Sequence, residues 1–467
     1  SIINYIQRRI IMKTKNRISQ TEKTELLGNA PIPKALLAMG IPTIAGMLVN
    51  ASYNLVDAYL VSGLGESQMG AISVVFPLGQ VIVGLGLLFG NGAASYISRL
   101  LGNGDRQKAG QTASTAIYGS LLLGALFIFL SILFLKPVLL LLGATASILP
   151  YALRYARIYI ISCIFNIFNV AMNNIAASEG AAKTTMCALI AGAVLNTALD
   201  PLFIYGLHLD VTGAAIATAI SQLVSTLVYL HFIMTRRSIF RFQWKDCCFS
   251  GEILSEICKI GIPTLVFQIL TSVSISCINT QARTYGDSVI AAMGVVTRFV
   301  SMGSLSVFGF LKGFQPIAGY SFGARKYDRL RQAIKISVLW STAFCVVYGL
   351  ILAVFPTAFL SQFTENDTEM IRTGTASLRA GGLSFMLFGF HTVYASLFLA
   401  LGKGRAGFFL GTCRQGICFI PIILLLPTVW GLPGILYAQP VADVLAAAVT
   451  VPMALKLHKE LAVSTPK

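Results

Sequence analysis

Long apolar runs without charge constrain this chain more than any other feature of its sequence. Residues 121–135 (LLLGALFIFLSILFL) and 339–355 contain no acidic or basic residue. With their uncharged flanks these runs reach the length of about 20 apolar residues that a helical membrane span requires. Backbone groups in lipid must satisfy their own hydrogen bonds, which leaves helices or a closed barrel. The runs are continuous rather than alternating, so they predict helices.

The composition excludes an ordinary soluble fold. Only 11% of the 467 residues are charged, and the mean hydropathy is +0.75. A soluble chain carries about a quarter of charged residues on average. We therefore predict an all-α integral membrane protein with about twelve transmembrane helices. The predicted spans are 35–62, 68–98, 111–135, 151–177, 184–206, 211–235, 258–284, 288–321, 336–358, 378–401, 407–428 and 432–455.

The sequence repeats itself at a constant offset of 221 residues. The shift places Gly40-Ile41-Pro42-Thr43 on Gly261-Ile262-Pro263-Thr264, Gly65 on Gly286, Gly92 on Gly313, Gly102 on Gly323 and Gly213 on Gly434. Each half has an even number of spans, so both halves enter the membrane in the same direction. This predicts two parallel six-helix repeats around a central cavity, an architecture of secondary transporters.

The repeat also predicts the domain boundaries. We expect an N-terminal tail (1–34), an N-lobe (35–235), an inter-lobe loop (236–257), a C-lobe (258–455) and a C-terminal tail (456–467). The first tail is basic and lacks the apolar core of a cleavable signal peptide. Met12 is a candidate for the true initiator within it.

Basic residues collect on one side of the predicted topology. With the N-terminus inside, 27 of the 35 basic residues fall in the tails and inner connections, Arg414 among them. The outer connections carry acids instead: Glu66, Asp210, Asp287, Glu365, Asp367 and Glu369. This positive-inside pattern predicts a multi-pass protein of the plasma membrane with both termini cytoplasmic. It also explains the net charge of +17 without nucleic acid as a partner, because the charges are spread over membrane-flanking loops.

The sequence contains no motif for a nucleotide or a resident cofactor. The glycines of 84–92 lack the spacing and the Lys-Ser/Thr pair of a phosphate loop, and close helix packing explains them better. The neighbouring Cys247 and Cys248 have no further ligands nearby for a zinc site, so we expect reduced cysteines. We therefore expect no cofactor, and an ion gradient rather than ATP as the energy source.

Acidic residues inside predicted spans are the first candidates for function. Of the 18 acids, only Asp57, Asp200 and Asp443 lie well within spans, where a lone carboxylate is costly. Asp57 and Asp200 are expected at similar depth in the N-lobe. Each has a polar residue four positions earlier on the same helix face, Tyr53 and Asn196 respectively. Carboxylate and amide oxygens suit a hard cation such as Na⁺, and buried carboxyls also carry protons.

Further polar residues are candidates for lining the cavity. They are Asp443, Lys312, Arg298, His391 and Gln268. For Asp443 a packed polar contact is an equal alternative, and for His391 a structural hydrogen bond is the alternative. For Lys312 and Arg298 the alternatives are pairing or snorkelling toward the membrane surface.

Several of these motifs resemble the MATE (multidrug and toxic compound extrusion) transporters over about residues 30–455. The resemblance rests on Gly40-Ile41-Pro42, Asn54-Leu55-Val56-Asp57, Asn196-Thr-Ala-Leu-Asp200-Pro-Leu-Phe-Ile-Tyr205 and Gly319-Tyr-Ser-Phe-Gly-Ala324. It is closest to the bacterial branch with an acidic site in the N-lobe. Another branch relies on acids in spans 7 and 10, but 258–284 and 378–401 contain no Asp or Glu.

The resemblance implies a function and a site. A cation site is implied at Asp57, Asn196, Asp200 and Thr218, with Tyr53 beside it. The implied activity is export of hydrophobic, often cationic drugs or toxic metabolites in exchange for Na⁺ or H⁺, by a protein that acts as a monomer among membrane lipids. Two alternatives are a flippase for lipid-linked sugars, which Lys312 and Arg298 faintly favour, and a membrane-embedded enzyme. The four His are scattered and form no catalytic set, so we predict that the chain is not an enzyme.

Overall fold

The computed structural model describes residues 21–62, 64, 66–142, 144–362 and 368–463. Met12, the basic residues before position 21 and the predicted outer acids Glu365 and Asp367 lie outside these ranges. The helices from Ile32 to Met234 are here called the N-bundle. They are α1 (Ile32–Ser62), α2 (Glu66–Gly102), α3 (Arg106–Leu133), α4 (Leu135–Leu141), α5 (Leu149–Ser178), α6 (Ala182–Pro201) and α7 (Asp210–Met234).

The helices from Gly251 to Val463 are here called the C-bundle. They are α8 (Gly251–Arg283), α9 (Asp287–Gly323), α10 (Tyr327–Val354), α11 (Pro356–Leu360), α12 (Thr368–Phe385), α13 (Phe388–Ala400), α14 (Gly404–Thr412), α15 (Phe419–Trp430) and α16 (Leu432–Val463). Two π-helical turns, Leu202–Gly206 and Cys413–Ile417, continue α6 and join α14 to α15. The predicted domain boundaries remain predictions.

The predicted all-α membrane fold is confirmed. Within the described residues, eleven helices or helix runs are long and apolar enough to cross a membrane. The pair α12 and α13, bent by 51° between Phe385 and Phe388, adds a twelfth if it forms one span. The predicted span 378–401 therefore contains a break that its apolar sequence does not reveal.

Several helices extend beyond their predicted spans because polar residues cap them. Helix α3 begins at Arg106 rather than near residue 111, since the Asp105 side chain accepts a hydrogen bond from the Lys108 backbone N–H at 3.0 Å. Helix α8 begins at Gly251 rather than 258, because Ser250 Oγ accepts from the Ile253 N–H at 3.2 Å. Both caps satisfy backbone donors that a helix start leaves without a partner.

Glycines at repeat-related positions bring the two bundles into backbone contact. A Cβ on Gly261 would lie 2.0 Å from the Leu88 carbonyl oxygen, and one on Gly92 would lie 2.3 Å from the Ile257 oxygen. The contacts of Gly102 and Gly323 mirror one another: their Cβ atoms would meet the carbonyl oxygens of Tyr320 (2.1 Å) and Arg99 (2.0 Å). Only a residue without a side chain permits such an approach.

Ion pairs and residues 21–31, here called the N-terminal segment, join the bundles at the end where Gly102 and Gly323 lie. This end is here called the basic end. Arg99 of α2 pairs with Glu256 of α8 at 2.7 Å, and Lys108 pairs with Glu252. Residues 21–31 lie across both bundles there. The Lys23 Nζ donates to the Arg237 carbonyl at 2.6 Å, and the Lys326 Nζ donates to the Gly28 carbonyl at 2.9 Å.

A buried carboxyl at the end of α5 interacts with the N-terminal segment. Glu179 is 1% exposed and accepts hydrogen bonds from Ser238 Oγ at 3.1 Å and the Ile239 N–H at 2.6 Å. Burial raises the pKa of Glu179, and the attraction of Lys23 opposes that rise. The N-terminal segment thus joins the bundles through charge as well as through the buried Leu27.

Substitution of Gly261 tests the backbone contact. We expect Gly261→Ala to destabilise the protein by about 1–3 kcal/mol, because overpacking against the Leu88 carbonyl outweighs the gain in helix propensity. Gly411→Ala is the matched control, since nothing lies within 4 Å of a Cβ at that helical position. Thermal unfolding in detergent measures both variants. Equal melting temperatures for the two would contradict the contact.

Candidate functional site

Two carboxyl groups of the N-bundle meet between α1 and α6. Asp57 lies near the end of α1, and Asp200 lies at the end of α6 and is fully buried. Their side chains are close enough to interact electrostatically. The Tyr205 hydroxyl, in the turn after α6, donates to the Leu60 carbonyl and ties the two helix ends together. Two ionised carboxylates at close range repel one another, so a proton or a cation would stabilise the pair.

The amide of Asn196 joins Asp200 to α7. Asn196 Nδ2 donates to Asp200 Oδ1 at 3.3 Å and to Thr218 Oγ1 at 3.4 Å. The first bond follows from the spacing of four residues, which puts both side chains on one face of α6. The structure thus brings together Asp57, Asp200, Asn196 and Thr218 from three helices.

Among the described residues, three oxygen atoms at this site are buried without a hydrogen-bond partner. They are Asp57 Oδ1, Asn196 Oδ1 and Asp200 Oδ2. Buried acceptors without partners are costly and uncommon in folded proteins. All three are oxygen acceptors, the atoms that hard cations prefer and that a proton also satisfies.

Two tyrosines that the sequence did not single out complete the surroundings. Tyr155 of α5 is buried and interacts electrostatically with Asp57, Asp200 and Tyr53. Tyr159, one turn later, stacks on it with ring centroids 5.6 Å apart and also interacts with Asp57. The i, i+4 spacing of two tyrosines in an apolar span was the available signal, but spacing alone does not show which helix they face.

Asp443 forms a closed polar contact rather than an open cavity wall. Its Oδ1 accepts from Arg414 Nε at 2.7 Å and from Gln439 Nε2 at 2.8 Å, and its Oδ2 accepts from Ser384 Oγ at 2.8 Å. The assignment of Arg414 to an inner connection was wrong. It lies in the π-helical turn Cys413–Ile417, is 7% exposed, and is held by Asp443 and by the Phe388 ring at 4.6 Å.

The other predicted cavity residues have separate positions. His391 is buried, and its Nδ1 lies 2.7 Å from Thr450 Oγ1. Gln268 Nε2 donates to Gln80 Oε1 across the two bundles, and Lys312 Nζ donates to Asn173 Oδ1 at 3.0 Å, again across the bundles. Arg298 is exposed on α9. None of these four contacts the carboxyl pair through the interactions found among the described residues.

Comparison with known proteins decides the family. The MatE family model matches residues 42–202 and 263–425, two segments that begin one repeat length apart. This chain belongs to the MatE family. The Multidrug export protein MepA of Staphylococcus aureus (strain MSSA476) is 30% identical over 437 residues, covering 93% of this chain and 96% of that protein. MepA of Staphylococcus saprophyticus is 31% identical over 416 residues, covering 89% and 91%.

A solved structure shares the fold of this MatE protein. It is described as the outward-facing conformation of a multidrug resistance MATE family transporter of the MOP superfamily. The TM-score is 0.88 at 25% identity, covering 95% of this chain and 99% of that one. The resemblance to MATE transporters that the sequence indicated is therefore confirmed, and the chain is a multi-pass membrane protein of that family.

Charge deletion in the C-bundle tests the role given to Asp443. We expect Arg414→Met to cost about 3–5 kcal/mol, because it leaves a buried carboxylate uncompensated. Arg414→Met combined with Asp443→Leu should recover much of that loss. Lys403→Met, which breaks the more exposed Lys403–Glu460 pair, is the control and should change stability by less than about 1 kcal/mol. Thermal unfolding measures all three. A double variant no more stable than Arg414→Met alone would refute the pairing.

Proposed function

We propose that this MatE protein is a secondary active multidrug exporter whose coupling cation binds in the N-bundle. The supporting observation is the carboxyl pair Asp57 and Asp200, where three buried oxygens, two of the pair and one of Asn196, have no hydrogen-bond partner among the described residues. A site that needs one positive charge, located inside a membrane-spanning bundle, suits an exchanged Na⁺ or H⁺. Asn196 and Thr218 orient and complete it, and Tyr53, Tyr155 and Tyr159 shape its wall.

The substrate class comes from the relatives. The two MepA relatives, named as multidrug export proteins, are 30% and 31% identical to this chain and align with 93% and 89% of it. We therefore assign hydrophobic, often cationic compounds as cargo. We expect the exporter to have no enzymatic activity and no resident cofactor. It acts as a monomer in contact with lipid.

The closed basic end supports an outward-facing state. Glycine contacts, two ion pairs and the N-terminal segment all join the bundles there. By the positive-inside rule that end is cytoplasmic, as are both termini, and the membrane is the bacterial plasma membrane. The likeness to a transporter described as outward-facing supports the same assignment.

Alternating access then follows from the site's charge. In the outward-facing state Na⁺ or H⁺ reaches Asp57 and Asp200 and satisfies the carboxyl pair. The resulting change in α1 and its neighbours displaces the drug. The bundles rock to open the basic end, where the ion leaves and a new substrate enters.

Transport by reconstituted protein tests the proposal. Vesicles loaded with ethidium receive Na⁺ and pH gradients separately, and the dye's fluorescence reports export. We expect one gradient or both to drive export by the wild type. Asp57→Asn and Asp200→Asn should each abolish it, because each removes one of the two carboxyls that together hold the coupling cation.

The control is Asp210→Asn, which removes an exposed carboxyl of the same bundle outside the site. It should transport like the wild type. Gradient-driven export that persists in both Asp57→Asn and Asp200→Asn would rule the coupling site out. Absence of export by the wild type under either gradient would rule out the exporter.

A further inference from the structure

Lys312 is a cation in the middle of the contact between the bundles. It lies eleven residues before the basic end of α9, or about 16 Å of helix. Its Nζ donates to Asn173 Oδ1 of α5 at 3.0 Å. Asn173 is itself oriented by a hydrogen bond from its Nδ2 to the Tyr229 hydroxyl at 3.1 Å. The ammonium group is therefore held in place by the opposite bundle.

The repeat places Lys312 at the axis that relates the two bundles. A small cavity between them is lined in part by Lys312, Gln315 and Pro316 of α9 and by Asn91, Ala94 and Ser95 of α2. These form three repeat-related pairs: Asn91 with Lys312, Ala94 with Gln315, and Ser95 with Pro316. Equivalent positions of two parallel repeats meet only near their common axis. The first copy has a neutral amide at the position where the second has a lysine.

Among the described residues, no carboxylate compensates Lys312 in the closed state. Among the ion pairs of the described residues, none includes it. The other polar side chains around the cavity are amides and hydroxyls, and Ser95 Oγ donates to the Leu399 carbonyl at 2.6 Å. A partly buried ammonium with an amide as its partner is costly, and such residues within spans mark substrate pathways.

An aromatic surface begins one turn away on the same face of α9. Phe308 precedes Lys312 by four residues, so the two side chains are neighbours along the helix. The Phe308 ring packs edge-to-face on Phe267 at 6.2 Å and on Phe388 at 5.7 Å. Partial exposure of Phe308 leaves this surface adjoining the central contact. A cation beside aromatic rings suits an aromatic compound with an anionic group.

We propose that Lys312 binds the anionic group, above all a carboxylate, of amphiphilic aromatic substrates when the basic end opens. Parting of the bundles removes Asn173 from the ammonium and exposes it on the central path. The substrate's carboxylate takes the place of the amide, and its rings pack toward Phe308. The assignment rests on the exporter proposed above and gives a binding residue to those of its aromatic substrates that carry a carboxylate.

A matched pair of dyes tests this inference. A carboxyrhodamine and its methyl ester differ only at the carboxylate, and export of each is measured from vesicles under the driving gradient. The readout is the ratio of acid to ester export by one protein sample. We expect Lys312→Met to lower this ratio by about tenfold, the order expected for one charged hydrogen bond. Lys312→Arg should keep it near the wild-type value.

Two further variants separate charge on the axis from charge elsewhere. Lys335→Met removes an exposed lysine of α10 and should leave the ratio unchanged. Exchange of the repeat-related pair, Lys312→Asn with Asn91→Lys, returns a cation to the same cavity and should restore much of the preference. An unchanged ratio of acid to ester export in Lys312→Met would overturn the proposal. An equal loss of export for both dyes would also overturn it if the affinity of the purified protein for the acid dye did not change.

Fluorescence anisotropy of the acid dye gives that affinity and decides cases in which Lys312→Met does not transport. Binding weakened about tenfold relative to the ester supports the proposal, and equal binding to both proteins overturns it. If the wild type exports neither dye, the proposed exporter function is contradicted. If it exports both and the ratio does not respond to Lys312, only this inference fails.

Discussion

Backbone contact between the bundles, at glycines that the repeat supplies in pairs, is the constraint on which the rest of this structure depends. Gly261 against Leu88 and Gly323 against Arg99 bring helices closer than any side chain allows. Lipid provides no hydrophobic force between helices, so close packing and polar contacts must hold the bundles together. These contacts join the bundles at the basic end in this state, and the carboxyl pair, near the ends of α1 and α6, lies toward the opposite end.

The two copies of the repeat handle intramembrane charge in opposite ways. In the N-bundle, Asp57 and Asp200 interact electrostatically, and each has a buried oxygen without a hydrogen-bond partner among the described residues. In the C-bundle, Asp443 is neutralised by Arg414 and bonded to Gln439 and Ser384. In the proposed function the first arrangement binds a cation, whereas the carboxylate of the second already has its partner within the protein. One scaffold thus carries a carboxyl pair in one copy and a paired carboxylate in the other.

Much of the fold was predictable, because hydrophobic length and the constant offset of the repeat are local and periodic signals. The pairing of Asp200 with Asn196 was predictable too, since it lies within one helix. Contacts between helices distant in sequence were not: Arg414 with Asp443, and Tyr155 with Asp57, depend on helix rotation, which composition does not fix. The break between α12 and α13 was also hidden, because its sequence is as apolar as its flanks.

The central claim is that drug and cation compete through the carboxyl pair, and linkage makes this directly measurable. The measurement is the affinity of the purified protein for a fluorescent cationic drug as the Na⁺ concentration and the pH are varied separately. The account predicts that affinity falls as the coupling cation becomes more concentrated in the wild type, and that Asp200→Asn loses this dependence. An equal dependence in wild type and Asp200→Asn, or none in the wild type, would contradict it.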